Sequence, residues 1–299
     1  MAASNSYNLP SHAVWFITGC SSGIGQALSI LVAQHKTNRL VATARNTSAL
    51  AYLPDTPNVL KLTLDVTSQD SVDAAITATL QLWGRIDVVV NNAGFNIQGD
   101  AEAIPDAEAR RLVETNFWGT VMVTRHAVRV MREENPRGAN GTGGGVIMNV
   151  TSMGGRIGFP GNSFYHASKF AVEGFIESVS KEVRPEWNIH FCLIEPGGVK
   201  TNYATSMKTV PPLPAYAAPD TPARMLEAYV ANPESSKAWA EASAVAETMF
   251  GVVSGGQDIP LRVPLGSDSW SVLKAQQEQA GKDLEKVKEL SLSVSKANM

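Results

Sequence analysis

Short, nearly continuous apolar runs alternate with longer stretches of helical periodicity along residues 13 to 200. Ala13–Thr18, Arg39–Ala44, Val59–Asp65, Ile86–Val90, Val146–Val150 and Ile189–Glu195 have the length and β-branched content of buried strands. Between them Ile24–Gln34, Ser68–Trp83, Asp106–Glu133 and Ser163–Val183 repeat apolar residues at helical spacing. Strands that are apolar on both faces and alternate with helices predict a parallel sheet covered on both sides. The expected fold class is therefore α/β, a doubly wound parallel sheet forming a single domain over residues 13–266. Ser267–Leu290 predicts a helix, so 267–299 is expected to be a C-terminal helical extension. The polar start predicts a flexible arm over residues 1–12.

Two stretches interrupt the rhythm. Pro136–Gly145 is glycine-rich and reads as a surface loop. Thr201–Pro222 carries Pro211, Pro212, Pro214, Pro219 and Pro222. It follows a strand end, where open α/β sheets bind ligands, and is expected either to be a lid or to be a plain connector.

Composition narrows the function without naming it. With 44% apolar and 18% charged residues and a net charge of −3, the chain has no basic stripe for nucleic acid. No apolar run is long enough to span a bilayer, and the N-terminus lacks the apolar core of a signal peptide. Cys20 and Cys192 form no disulfide framework, which predicts a reduced, cytoplasmic protein. The five histidines show no metal-ligand spacing, and no metal is expected.

Thr18-Gly19-Cys20-Ser21-Ser22-Gly23-Ile24-Gly25 lies between the first strand and the first helix. Glycines there permit a tight turn and close backbone approach to a pyrophosphate, and the helix N-terminus adds free N–H groups and partial positive charge. Arg45 follows the second strand in Ala42-Thr43-Ala44-Arg45-Asn46, where an NAD site usually has an acid. An arginine attracts a 2′-phosphate, which favours NADP; a solvated surface arginine, compatible with NAD, is the alternative.

Tyr165 and Lys169 are four residues apart and share a helix face. A phenol with a reference pKa near 10 needs a shift of about 3 units, roughly 4 kcal/mol, to act as a base at pH 7. One ammonium at about 4 Å and an effective dielectric of about 20 supplies roughly that. By itself the spacing is equally that of an exposed tyrosine beside a solvated lysine. Ser152, at the end of the fifth strand, has a hydroxyl suited to a substrate oxygen. Asn91-Asn92-Ala93-Gly94 ends the fourth strand, and Asn116 stands mid-helix, where asparagine is a poor helix former.

Taken together and in order, Thr18-Gly-x-x-x-Gly-x-Gly25, Asn91-Asn-Ala-Gly94, Asn116, Ser152, Tyr165-x-x-x-Lys169 and Pro196-Gly-Gly-Val-Lys-Thr201 resemble the short-chain dehydrogenase/reductase family over about residues 13–250. The resemblance implies a Rossmann fold and an NADP-dependent enzyme acting on CH–OH and C=O groups. It implies Tyr165 as proton donor or acceptor and Lys169 as its pKa partner and ribose ligand. Ser152 is then the substrate-oxygen ligand, and Asn116 holds a water in a proton relay. Cofactor contacts are implied at Gly19, Ser21, Ser22, Gly23, Ile24, Gly25, Arg45, Asp65, Val66, Asn91, Asn92, Ala93, Gly94, Pro196, Gly197, Val199 and Thr201, as well as Tyr165 and Lys169. The Ala42–Arg45 run resembles the NADP-leaning branch that includes hydroxysteroid- and retinol-type enzymes. The expected assembly is a homodimer, a homotetramer or a monomer, the extended tail bearing on the family's tetramer contacts.

Phe95–Gln98, Met153–Phe159, Gly198, Tyr203 and Met207 are the expected pocket walls. They are mostly apolar, which suggests a medium-sized lipophilic carbonyl or alcohol as substrate. Imine reduction, isomerisation or cyclisation on the same scaffold is the alternative, and a nucleotide-sensing protein is a third reading.

Overall fold

In the computed structural model, residues 7–135, 143–201 and 207–295 are described. Seven parallel strands form one sheet: β1 (Val14–Ile17), β2 (Arg39–Ala44), β3 (Val59–Thr63), β4 (Val88–Asn91), β5 (Gly145–Val150), β6 (Ile189–Pro196) and β7 (Arg262–Leu265). Their spatial order is β7-β6-β5-β4-β1-β2-β3. The order reverses between β1 and β4, and the C-terminal ends of those two strands open the crevice in which such sheets bind ligands.

Alternation along β1 shows why this sheet is covered twice. Trp15 and Ile17 enter one core with Leu28 and Val32 of α1 (Gly23–Gln34), while Val14 and Phe16 enter the other with Val72 and Ile76 of α2 (Gln69–Trp83). Successive side chains on a strand point to opposite faces, so a continuous apolar run serves both layers. The second core is completed by Val123 and Val130 of α4 (Gly119–Glu133) and Val172 and Ile176 of α5 (Ser163–Glu182).

Four expectations change. The helix expected over Asp106–Glu133 is two helices, α3 (Asp106–Val113) and α4 (Gly119–Glu133), joined by a π-helical turn at Glu114–Trp118 that contains Asn116. Helical periodicity continues through such a turn, which hides the extra residue from pattern reading. Strand β7 was not expected because Pro264 interrupts its pattern. It sits at the sheet edge, where a missing N–H is tolerated. Within the expected arm, residues 1–6 lie outside the described residues, but Tyr7 is buried and its hydroxyl donates to Asp87 at 3.4 Å. A polar segment with one aromatic can thus be pinned by that ring. Finally, the C-terminal extension is not separate at its start: α8 (Ser267–Lys286) buries Ser269 and Leu273 against the domain. From residue 277 to 295 the chain is exposed, with Leu284, Leu290 and Val294 facing solvent.

The other long helices are α5 (Ser163–Glu182), α6 (Pro222–Ala231) and α7 (Ala242–Ser254). Residues 136–142 of the expected glycine-rich loop and 202–206 of the expected lid lie outside the described residues. After the latter, Lys208–Thr209 pairs with Ile97–Gln98, which places the proline-rich segment beside the exit of β4.

Candidate active site

The turn after β1 is shaped by what cannot fit there. Gly19 and Gly23 hold φ of +70° and +60°, a region that L side chains rarely adopt. A Cβ on Gly19 would stand 2.8 Å from the Cα of Ala93, and one on Gly25 would run into the Asn92 amide and the Gly19 carbonyl. The Asn92 Nδ2 donates to the carbonyls of Thr18 (2.9 Å) and Gly19 (3.0 Å). The Thr18 hydroxyl accepts the Asn92 and Ala93 N–H groups, both at 3.0 Å. So the ends of β1 and β4 are locked together across the crevice. Ser22 makes no capping hydrogen bond with its side chain, and the first turn of α1 holds no acid. Its N–H groups are therefore left for an anion.

At the ends of β2 and β3, Arg45 and Asp65 are both exposed, and Arg45 helps hold the Asp65 carboxyl below its ordinary range. The larger cause is Thr67, whose hydroxyl and N–H both donate to it, at 2.7 and 2.9 Å. Val66 is buried against Gly119, where a Cβ would collide with it.

The chemistry-bearing groups gather on the other side of the crevice. Tyr165 and Lys169 lie in the first two turns of α5, with the Lys169 Nζ 5.7 Å from the tyrosine ring centroid. Lys169 is buried and donates to the Val150 carbonyl at 2.8 Å. Burial pulls its pKa down to about 8, against a pull upward from the Glu173 carboxylate. The π turn delivers the buried Asn116 to the same place. Its Nδ2 donates to the Phe95 carbonyl (2.9 Å) and Ser168 Oγ (3.1 Å), and its Oδ1 accepts the Phe95 N–H (3.0 Å). A Cβ on Gly94 would lie 3.0 Å from Asn116 Oδ1 and 3.7 Å from Lys169 Nζ, so Gly94 keeps a gap between amide and ammonium. Ser152 follows β5; its Oγ accepts the Gly154 N–H at 3.0 Å and donates to the Pro196 carbonyl at 3.4 Å.

Most of the residues singled out from the sequence converge on this crevice. Gly23 lies against Thr201, and Pro196, Gly197 and Val199 lead out of β6 on the same side as Ser152. The Asn91 side chain does not join them. It donates to Thr124 Oγ1 (2.9 Å) and Asn149 Oδ1 (2.8 Å), tying β4 to α4 and β5. Of the expected walls, Tyr203 lies outside the described residues, while Met207 accepts from Asn96 Nδ2 at 3.1 Å.

Sequence reading overlooked the supports. The Asp268 carboxylate accepts the Gly198 N–H at 2.7 Å and fills the space a Cβ on Gly197 would need. Trp239 lies against Gly198 in the same manner. His166 meets the Gly154 carbonyl at 2.9 Å through Nδ1, and burial holds its pKa below the ordinary value. A signal existed for Asp268, since an acid beside Gly266-Ser267 marks a helix start, but nothing local told which loop it would hold.

A family model described as short chain dehydrogenase matches residues 13–210. The oxidoreductase calM of Penicillium decumbens is 47% identical over 290 residues, covering 95% of this chain and 94% of that protein. Retinol dehydrogenase 8 of Bos taurus is 35% identical over 197 residues, covering 62% of this chain and 59% of its own. A crystal structure of a short-chain dehydrogenase from Streptomyces avermitilis superposes with a TM-score of 0.81 at 28% identity, covering 96% of this chain and all of that one. No helix among the described residues is long and apolar enough to cross a membrane. The chain belongs to the short-chain dehydrogenase family of oxidoreductases.

Proposed function

We propose that this enzyme transfers a hydride between NADP(H) and the carbonyl or secondary alcohol carbon of a medium-sized lipophilic substrate, with Tyr165 as general acid or base. The observation that carries the reading is the meeting of Tyr165, Lys169 and Asn116 at the crevice where the strand order reverses. A nicotinamide dinucleotide, when bound, supplies or accepts the hydride. Its diphosphate suits the uncapped, acid-free first turn of α1, reached by Ser21, Ser22, Gly23 and Ile24. Arg45 at the end of β2 suits a 2′-phosphate, which favours NADP over NAD.

The residues divide the proton work among them. Lys169, with a pKa of about 8, is mostly an ammonium at pH 7, and that charge favours the phenolate of Tyr165 over the phenol. The Ser152 hydroxyl holds Pro196 only at 3.4 Å, so its proton can turn to a substrate oxygen as charge develops there. Asn116 pins the Phe95 backbone next to Gly94, and the gap at Gly94 between Asn116 and Lys169 suits a water, a path by which protons reach the lysine. The described part of the 201–222 segment forms the substrate-side cover. A lipophilic substrate accords with the apolar walls and with a relative named for retinol.

The test is NADPH oxidation with a panel of lipophilic ketones, comparing the parent with Tyr165→Phe. Loss of the acid should lower turnover by roughly a hundred- to ten-thousandfold, with cofactor affinity retained. Turnover that survives the substitution removes Tyr165 from the chemistry.

A further inference from the structure

One helical turn beyond Lys169, on the same face of α5, stands Glu173, a buried carboxylate with no part in the proton transfer described above. Its Oε1 accepts from Thr151 Oγ1 at 2.7 Å, and its Oε2 from Arg262 Nε at 3.1 Å. Thr151 immediately precedes Ser152, and Arg262 opens β7. Every element packed here brings a group. Arg156, on the turn after Ser152, reaches Glu195 at 3.3 Å. Glu195, from β6, is fully buried and lies 3.6 Å from Arg262. Cys192 lies on the same strand, its thiol pushed up to about 12 by burial and by the two carboxylates. Glu177, a further turn along α5, pairs with Arg262 at 2.7 Å and with Lys181 on the outside.

Three cations, Lys169, Arg156 and Arg262, therefore share a layer with the acids Glu173, Glu195 and Glu177. Glu195 is pushed up to about 7, first by burial and then by Glu173 itself, so it carries only part of a charge at neutral pH. Glu177 is turned to Arg262 and Lys181 at the surface. Burial pushes the Glu173 carboxyl above its ordinary range, and the Thr151 hydroxyl, Arg262 and Arg156 pull it back; its charge is the one that opposes the loss of hydration at Lys169.

We propose that Glu173 is a positioning residue of the reaction, keeping Lys169 in its ammonium form and so maintaining the charge that Tyr165 requires, while Thr151 and Arg262 keep Glu173 itself ionised. This rests on the roles given above to Tyr165 and Lys169. It also gives a reason for the Tyr165-x-x-x-Lys169-x-x-x-Glu173 spacing. The helix delivers phenol, ammonium and carboxylate in a row, from the crevice inward to the buried layer. A merely structural staple between α5 and β7 would need Glu173 and Arg262 but would leave the lysine indifferent to them.

The experiment reads Lys169 directly. The full chain, free of cofactor, is labelled with carbon-13 at the lysine ε positions, the Lys169 signal is assigned with Lys169→Arg, and its titration is followed by NMR. Glu173→Gln keeps the size of the side chain but removes the charge, and should lower the Lys169 midpoint by about one unit, a tenfold lower ratio of ammonium to amine at any given pH. Glu173→Asp should restore most of the shift. Glu173→Gln leaves Arg262 its contacts with Glu177 and Glu195; the double variant Glu173→Gln/Arg262→Gln also removes that cation, a loss that by itself favours the ammonium, and should show a smaller fall in the same direction. A Lys169 midpoint unmoved in whichever of these folds overturns the proposal. If instead Tyr165→Phe keeps its turnover, the reading of the active site falls while the titration still reports on the lysine and its carboxylate.

Discussion

The two ends of the crevice are built on opposite plans. At the cofactor end, residues 18–25 and 91–94 interlock so closely that Gly19 and Gly25 have no room for a methyl group, and the Asn92 amide donates two hydrogen bonds to the turn. At the end proposed for the substrate, most of residues 207–231 lie on the surface. Leu213, Met225 and Tyr229 are exposed, and apart from Val210 on a small apolar cluster and the buried Ala223 the side-chain contacts named for the segment are polar: Arg224 with Asp100, Lys208 with Glu108, and Tyr216 with Glu102. The first plan permits one backbone arrangement and depends on no particular side-chain chemistry beyond Thr18 and Asn92. The second tolerates exchange of side chains, as expected where a common scaffold must accept different substrates.

The comparison breaks first at the cofactor end. Gly25→Ala should abolish cofactor binding at practical concentrations, a loss of more than about a hundredfold, because the added methyl forces Asn92 off the turn. Overpacking of this kind costs about 1–3 kcal/mol in stability. Cofactor titration by intrinsic fluorescence, with a thermal melt beside it, checks both. Near-parental affinity would show that the turn can open without harm.

The buried layer between the two ends is exposed by pH. Glu195 is held near 7 when folded, above the ordinary carboxylate range, by burial and then by Glu173. The folded state thus keeps a proton that the unfolded chain releases, and stability falls as pH rises from about 4.5 to about 7. For this buried group the change is on the order of 3 kcal/mol. Melting curves of the parent and Glu195→Gln should therefore diverge across that window, with the variant losing less stability toward neutral pH. Parallel curves would mean that Glu195 is ionised throughout.

How far the sequence carried follows from the same contrast. The six strands that were expected lie where the pattern put them, because burial on both faces leaves a continuous apolar run and little else can produce one. The turn, the Tyr165–Lys169 pair and Ser152 were legible because their spacing is local. Three features escaped. The π turn around Asn116 keeps helical periodicity. Strand β7 is short and contains a proline. Asp268, Trp239 and His166 act on loops remote in sequence, and nothing near them names their partners. Asn91 shows the converse: its place in a cofactor-side motif was plain, yet its amide serves the joint between β4, α4 and β5. Long-range polar contacts are what a one-dimensional reading lacks.

Two smaller effects sharpen the contrast. Arg45→Ala removes a cation from the exposed end of β2. If that cation meets a 2′-phosphate, NADPH affinity should fall about ten- to a hundredfold, the range for a hydrogen bond to a charged group, and NADH affinity should hardly change. Equal losses for the two cofactors would refute the assignment. The least effect is expected on the cover. Met225 is 59% exposed on α6, so Met225→Ser should alter stability by less than about 0.5 kcal/mol. If the exposed face of α6 borders the path of a lipophilic ketone, the substitution removes apolar area there. KM for the longest ketones of a series should therefore rise, with that for the shortest unchanged and kcat constant throughout. A rise in KM independent of chain length would place the apolar contact elsewhere, and a fall in the melting temperature as large as that of Gly25→Ala would show that the two ends of the crevice are equally constrained.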